Sequence, residues 1–185
     1  SVRSRQMTRD CLQFLRSGRV VRLNEFLPRT TVLDWLRESE RSIGTKEGCA
    51  EGDCGACATV VVREHGGRLV YEPVNSCITL LGQLDGAELI TVEDLAVDGE
   101  LHPVQAAMAR QHGSQCGFCT PGIVMSLFAH YHACNGATTR EAINNALTGN
   151  LCRCTGYRPI VDAALEACAE AADDRFTRSA AARLQ

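Results

Sequence analysis

Three cysteines fall within nine residues, Cys49-Ala-Glu-Gly-Asp-Cys54-Gly-Ala-Cys57, and a fourth follows at Cys77. Their spacing, C-x4-C-x2-C…C, is that of plant-type [2Fe–2S] sites. Three thiolates on one short segment must converge on two irons, so the backbone has to wrap the sulfurs and turn its N–H groups toward them. Gly44, Gly48, Gly52 and Gly55 sit where such a path needs positive φ and no Cβ in the way. Zinc is the competing reading, but structural zinc motifs pair cysteines two to four residues apart and seldom run through so glycine-rich a triplet.

A second set follows, Cys116-Gly-Phe-Cys119 and Cys152-Arg-Cys154. Spacing alone leaves zinc, an iron–sulfur cluster or a redox disulfide at the C-x-x-C. The C-x-C pair is unusual for zinc. Thr120-Pro121 reads as the N-cap and first residue of a helix, and Thr155-Gly156 stand at the start of another. Both pairs would then lie at helix N-termini, where the dipole and free N–H groups favour the net negative charge of a four-thiolate cluster.

The remaining cysteines, Cys11, Cys134 and Cys168, bring the total to 11 in 185 residues. They read as small buried apolar side chains. A disulfide framework fits poorly, because the count is odd and the polar start, Ser1 to Asp10 with its three arginines, is no secretory leader. A cytoplasmic protein is expected. The net charge of -3 and the absence of a Lys/Arg cluster argue against nucleic acid, and no apolar run approaches the ~18 residues of a membrane span. His65, His102, His112, His130 and His132 are scattered, with His130 and His132 on different faces of their helix, so solvated or capping roles are expected. No phosphate loop and no Ser/His/Asp set appears.

The fold class expected is α+β. Arg19–Asn24 alternates as a half-buried strand, Thr31–Glu38 reads as a short helix capped by Thr30 or Thr31, and Ala58–Arg63 with Arg68–Glu72 makes a hairpin turning at Gly66-Gly67. Ala87–Val92 adds a strand. Beyond Asp98-Gly99 only helices are predicted, His102–Gln111, Pro121–Ala133, Thr139–Leu147 and Pro159–Ala172, four amphipathic pieces able to form a bundle. The expected division is 1–98, 99–172, and a linker or truncated tail over 173–185.

Lys46–Cys57, Gln115–Gly122 and Gly149–Ile160 resemble, in order and spacing, the iron–sulfur part of the xanthine dehydrogenase/aldehyde oxidase family of molybdenum hydroxylases. The likeness spans roughly residues 18–170, and Tyr157-Arg158-Pro159-Ile160 is similar to the xanthine dehydrogenase branch, the bacterial small subunit in particular. It implies a β-grasp ferredoxin-type domain followed by a four-helix bundle. It also implies two [2Fe–2S] clusters, one on Cys49, Cys54, Cys57 and Cys77 and one on Cys116, Cys119, Cys152 and Cys154. Gln115 and Cys154 match family positions that contact the molybdopterin. Electrons would pass from a molybdopterin-binding large subunit through both clusters to FAD, with the flavin and molybdenum on a partner chain or a missing domain of a hetero-oligomer. Xanthine, an aldehyde, an N-heterocycle or CO is the substrate according to the absent subunit. A free-standing redox carrier and a zinc-containing module are the alternatives.

Overall fold

A computed structural model describes residues 10–183; residues 1–9 and 184–185, including most of the polar start, lie outside the described residues. The chain opens with a hairpin, β1 (Leu12–Arg16) and β2 (Arg19–Leu23). Next comes α1 (Val32–Asp34), which continues as a π-type turn over Trp35–Ser39. Thr31 is its cap. The Thr31 Oγ1 accepts from the Asp34 N–H at 3.1 Å while the Asp34 carboxylate accepts from the Thr31 N–H at 3.3 Å. The first cysteine loop leads into β3 (Ala58–His65) and β4 (Arg68–Asn75), whose turn takes φ +58 at Gly66 and +81 at Gly67, as a tight hairpin requires. With β5 (Glu88–Ile90) the sheet has the order β2-β1-β5-β3-β4, in which only β1 and β5 are parallel.

β1 is a strand that the hydrophobic pattern did not predict. Its inward positions are Leu12, Phe14 and Arg16, and a buried arginine interrupts the apolar alternation. The charge is compensated. Arg16 pairs with Asp94 and with Glu40 at 3.0 Å, and its guanidinium reaches Ser42 and Thr91.

β3 is buried on both faces, and period-two alternation sends its side chains into different cores. Val61 packs with Phe14, Leu36, Leu81, Leu84 and Leu89. Ala58, Val60 and Val62 join the apolar side chains of the helical half. That half contains α2 (Pro103–Arg110), α3 (Thr120–Cys134), α4 (Arg140–Ala146) and α5 (Arg158–Ala167). α3 is central: it meets α2, α4 and α5 as well as β3 and β4. Its whole stretch from Gly122 to Ala129 is buried, not only the expected face of Ile123, Val124, Leu127 and Phe128. Strands give way to helices after β5, but the apolar packing runs across that change without a break.

The segment expected as a linker or tail carries α6 (Arg175–Arg178) and α7 (Ala180–Arg183) and packs back on the molecule. Phe176 is buried, and the Arg183 guanidinium reaches Glu88 on β5 and the Tyr71 hydroxyl on β4. Asp174 is buried too. It caps α6 through the Thr177 N–H at 2.7 Å, accepts from His102 Nε2 at 2.8 Å and lies 3.0 Å from His132 Nε2. His102 Nδ1 accepts the Val104 N–H at 3.2 Å, so the ring's proton sits on Nε2, facing Asp174.

Candidate iron–sulfur sites

The loop between α1 and β3 folds its backbone around the Cys49 sulfur. The N–H groups of Glu51, Asp53 and Cys54 point at it from 3.5, 3.3 and 3.4 Å. These donors, Glu51 and then Cys54 foremost, lower the Cys49 thiol to about 7. The path depends on Gly52 (φ +86) and Gly55 (φ +68). Gly44 and Gly48 do not share the expected positive φ. Gly48 is there for space, since a Cβ would stand 2.7 Å from the Cys54 sulfur. Cys57, at the entry to β3, and Cys77, after β4, are buried with sulfurs 3.3 Å apart. Burial, and then the neighbouring Cys57 sulfur, push Cys77 up to about 12. A buried pair like this carries thiolate charge only against a cation.

The second set gathers where α3 and α5 begin. Cys119 is itself the N-cap of α3, without a side-chain cap bond, and Thr120 is the first helical residue. This corrects the expected capping role of Thr120, whose hydroxyl meets Ser114 Oγ at 2.7 Å instead. α5 starts after Tyr157, which sits in the left-handed region at φ +65. Thr155 turns its hydroxyl to the Cys152 sulfur at 3.1 Å and accepts the Tyr157 N–H. All four thiols influence one another, Cys116 and Cys154 most directly, Cys119 and Cys152 likewise, with Cys116 also acting on Cys119 and Cys152 on Cys116. Burial and then Cys152 push Cys119 up to about 12, whereas the Phe118 N–H and then Cys154 lower Cys116.

The spacing of the sulfurs tests which metal fits. One tetrahedral zinc with arms of about 2.3 Å would bring all four sulfurs to about 3.8 Å from one another. The described residues hold two groups of three ligand atoms within 4.8 Å, and neither draws on these eight cysteines. Two sulfurs per iron on two irons is the arrangement that fits.

The two nests adjoin. The Leu151 N–H donates to the Cys54 carbonyl at 2.9 Å, and the Asn150 amide donates to the Gly55 carbonyl at 3.2 Å. A Cβ at Gly122 would overlap the Gly55 carbonyl oxygen, and one at Gly55 would overlap that of Gly149. Tyr157 closes the corner: its hydroxyl accepts the Cys152 N–H at 2.7 Å and donates to the Asn150 carbonyl at 2.9 Å. Leu151, Asn150, Gly122 and Tyr157 carry no local signal for this role in the sequence, since their partners are backbone groups or lie far away along the chain, at Cys54 and Gly55. Gln115, beside Cys116, and Cys154 are exposed on the outer rim, among the exposed apolar side chains Phe118 and Leu151. No helix among the described residues is long and apolar enough to cross a membrane.

Two family models match, "2Fe-2S iron-sulfur cluster binding domain" over residues 17–82 and "[2Fe-2S] binding domain" over residues 91–165. The chain is 53% identical over 140 residues to a xanthine dehydrogenase of Blastobotrys adeninivorans, covering 74% of this chain and 10% of that protein. Among solved structures, quinoline 2-oxidoreductase from Pseudomonas putida 86 superposes with a TM-score of 0.73 at 36% identity, covering 86% of this chain and 93% of that one. The aldehyde oxidoreductase of Desulfovibrio desulfuricans superposes with a TM-score of 0.75 at 33% identity over 87% of this chain and 17% of that one. The chain thus spans only about a tenth of the length of the curated relatives it matches.

Proposed function

The chain belongs to the xanthine dehydrogenase/aldehyde oxidase family of molybdenum hydroxylases, whose iron–sulfur domains it carries, and we propose that its work is to conduct electrons through a xanthine dehydrogenase-like complex. In this reading Cys49, Cys54, Cys57 and Cys77 hold one [2Fe–2S] cluster on a β-grasp ferredoxin-type domain. Cys116, Cys119, Cys152 and Cys154 hold the other on a four-helix bundle of α2 to α5. When bound, the clusters supply one-electron relay chemistry between a molybdopterin centre and FAD, both carried outside these residues. Gln115 and Cys154 contact the pterin from the rim of the bundle. The partners are a molybdopterin-binding large subunit and a flavin domain or subunit. Xanthine is the preferred substrate over an aldehyde, an N-heterocycle or CO.

The observation that carries this reading is the single hydrogen bond from the Leu151 N–H to the Cys54 carbonyl. Leu151 adjoins Cys152 and Cys54 is itself a proposed ligand, so one hydrogen bond completes an otherwise covalent path between the nests. The residues of the chain fix both ends of that path and brace it through the Asn150 amide and the Tyr157 hydroxyl.

The test is an asymmetry between Cys54→Ser and Cys119→Ser in the assembled complex. With Cys54→Ser, substrate still reduces the cluster of the helical half, while reduction of the flavin stops. With Cys119→Ser, substrate no longer reduces the cluster of the sheet half, although dithionite does. Substrate reduction of that cluster at the wild-type rate in Cys119→Ser would reverse the proposed order.

A further inference from the structure

α3 and α5 begin at the second cysteine nest, and their other ends also meet. Cys134 is the last residue of α3, His130 lies one turn before it on the same face, and Cys168 is the C-cap of α5. One ligand atom from each of these three residues lies within 4.8 Å of the others. The sequence suggests buried apolar roles for the two cysteines and a solvated or capping role for the histidine. The helices bring them together.

We propose that His130, Cys134 and Cys168 form a binding site for one thiophilic divalent cation of the zinc class, separate from the iron–sulfur nests. The donor set of two sulfurs and one imidazole is one that zinc accepts, with water as a fourth ligand. A tetrahedral zinc spaces such atoms by about 3.5–3.8 Å, inside the 4.8 Å that bounds the observed grouping. His130 and Cys134 are half-buried, so the site opens to solvent on one side, while Cys168 is buried beneath.

Two further features favour a cation here. The C-terminal ends of two helices, 15 and 10 residues long, converge on the site, and the negative end of each dipole attracts positive charge. His130 Nε2 is hydrogen bonded to the Thr138 hydroxyl at 2.7 Å. With Nε2 as the donor, Nδ1 keeps its lone pair for the metal, the outer-shell arrangement that fixes a ligand's tautomer. Binding balances as one Zn2+ taken up against two thiol protons released. From Cys119 to Cys134 the helix rises about 22 Å, so the ion would not compete for the cluster ligands.

The test is zinc titration of the cluster-loaded protein under anaerobic conditions, with zinc and iron counted after desalting. The wild type should keep about one zinc per chain with its iron unchanged. Cys134→Ser and His130→Gln, both at half-buried positions, should each weaken zinc binding at least tenfold while keeping the iron and the visible spectrum. Thr138→Val should weaken it about tenfold or more through the outer shell. Three results would overturn the site: a wild type that retains no zinc, variants that retain as much as the wild type, or a Cys134–Cys168 disulfide in its place.

Discussion

Replacing Gly122 with alanine sets two effects of known size against each other. Gly122 lies inside α3, where alanine is the better helix former by about 1 kcal/mol. But its Cβ would overlap the Gly55 carbonyl oxygen and stand 3.0 Å from the carbon of that carbonyl and 3.1 Å from Ala56 Cα. A Cβ essentially never comes within about 3.0 Å of a heavy atom, so relieving the overlap with the carbonyl oxygen requires α3 to draw back from the first cysteine loop by about an ångström. The obstruction is backbone, which cannot rotate aside, so the cost lies near the upper end of the ~1–3 kcal/mol typical of overpacking. After the gain in helix propensity, a net loss of about 2 kcal/mol remains, or about 4–8 °C in the melting temperature of a chain this size. Gly149→Ala is the control, because a Cβ there meets nothing within 4 Å and should leave the midpoint within about 0.5 kcal/mol of wild type. Thermal melts of the cluster-loaded proteins decide. A Gly122→Ala protein melting at or above the wild-type temperature would mean that the nests are not in backbone contact.

Tyr157→Phe leaves the Cys152 N–H and the Asn150 carbonyl without their shared partner, at a cost of about 1–3 kcal/mol. It should perturb the EPR signal of the helical-half cluster and not the other; an unchanged melt and unchanged spectra would exclude that role for the hydroxyl. For Asp174, burial raises the carboxyl pKa, but the hydrogen bond from His102 and the His132 ring beside it outweigh that and hold the group well below the usual range. A depressed folded value means stability that is present above the unfolded pKa of about 3.9 and lost as pH falls below it. Asp174→Asn should therefore cost about 2 kcal/mol at neutral pH, with the carboxylate's share shrinking below about pH 4 in melts at graded pH. A deficit that instead grew on acidification would contradict the assigned sign.

The cysteine sets, the hairpin turn at Gly66-Gly67 and the order of the helices were legible because each is written in local spacing or period. What escaped sequence reasoning depends on distant residues. β1 was hidden by Arg16, a charge at an inward position that only Asp94 and Glu40 make tolerable. The docking of α6 and α7 rests on Asp174 meeting His102 and on Arg183 meeting Glu88 and Tyr71, none of them near in sequence. The expected cap at Thr120 was one residue late, because the side chain at the cap position is a cysteine that makes no cap bond. The seam between the nests left least trace of all. It is made of carbonyls, amides and missing Cβ atoms, and glycine at 55 and 122 has many other uses.

Iron and acid-labile sulfide counted on anaerobically prepared protein, with low-temperature EPR after dithionite, test most directly whether the two cysteine nests each hold a binuclear cluster. About four irons, as many sulfides and two distinct signals per chain are expected. A single signal, with zinc in place of half the iron at the motif cysteines, would contradict the assignment of the second nest.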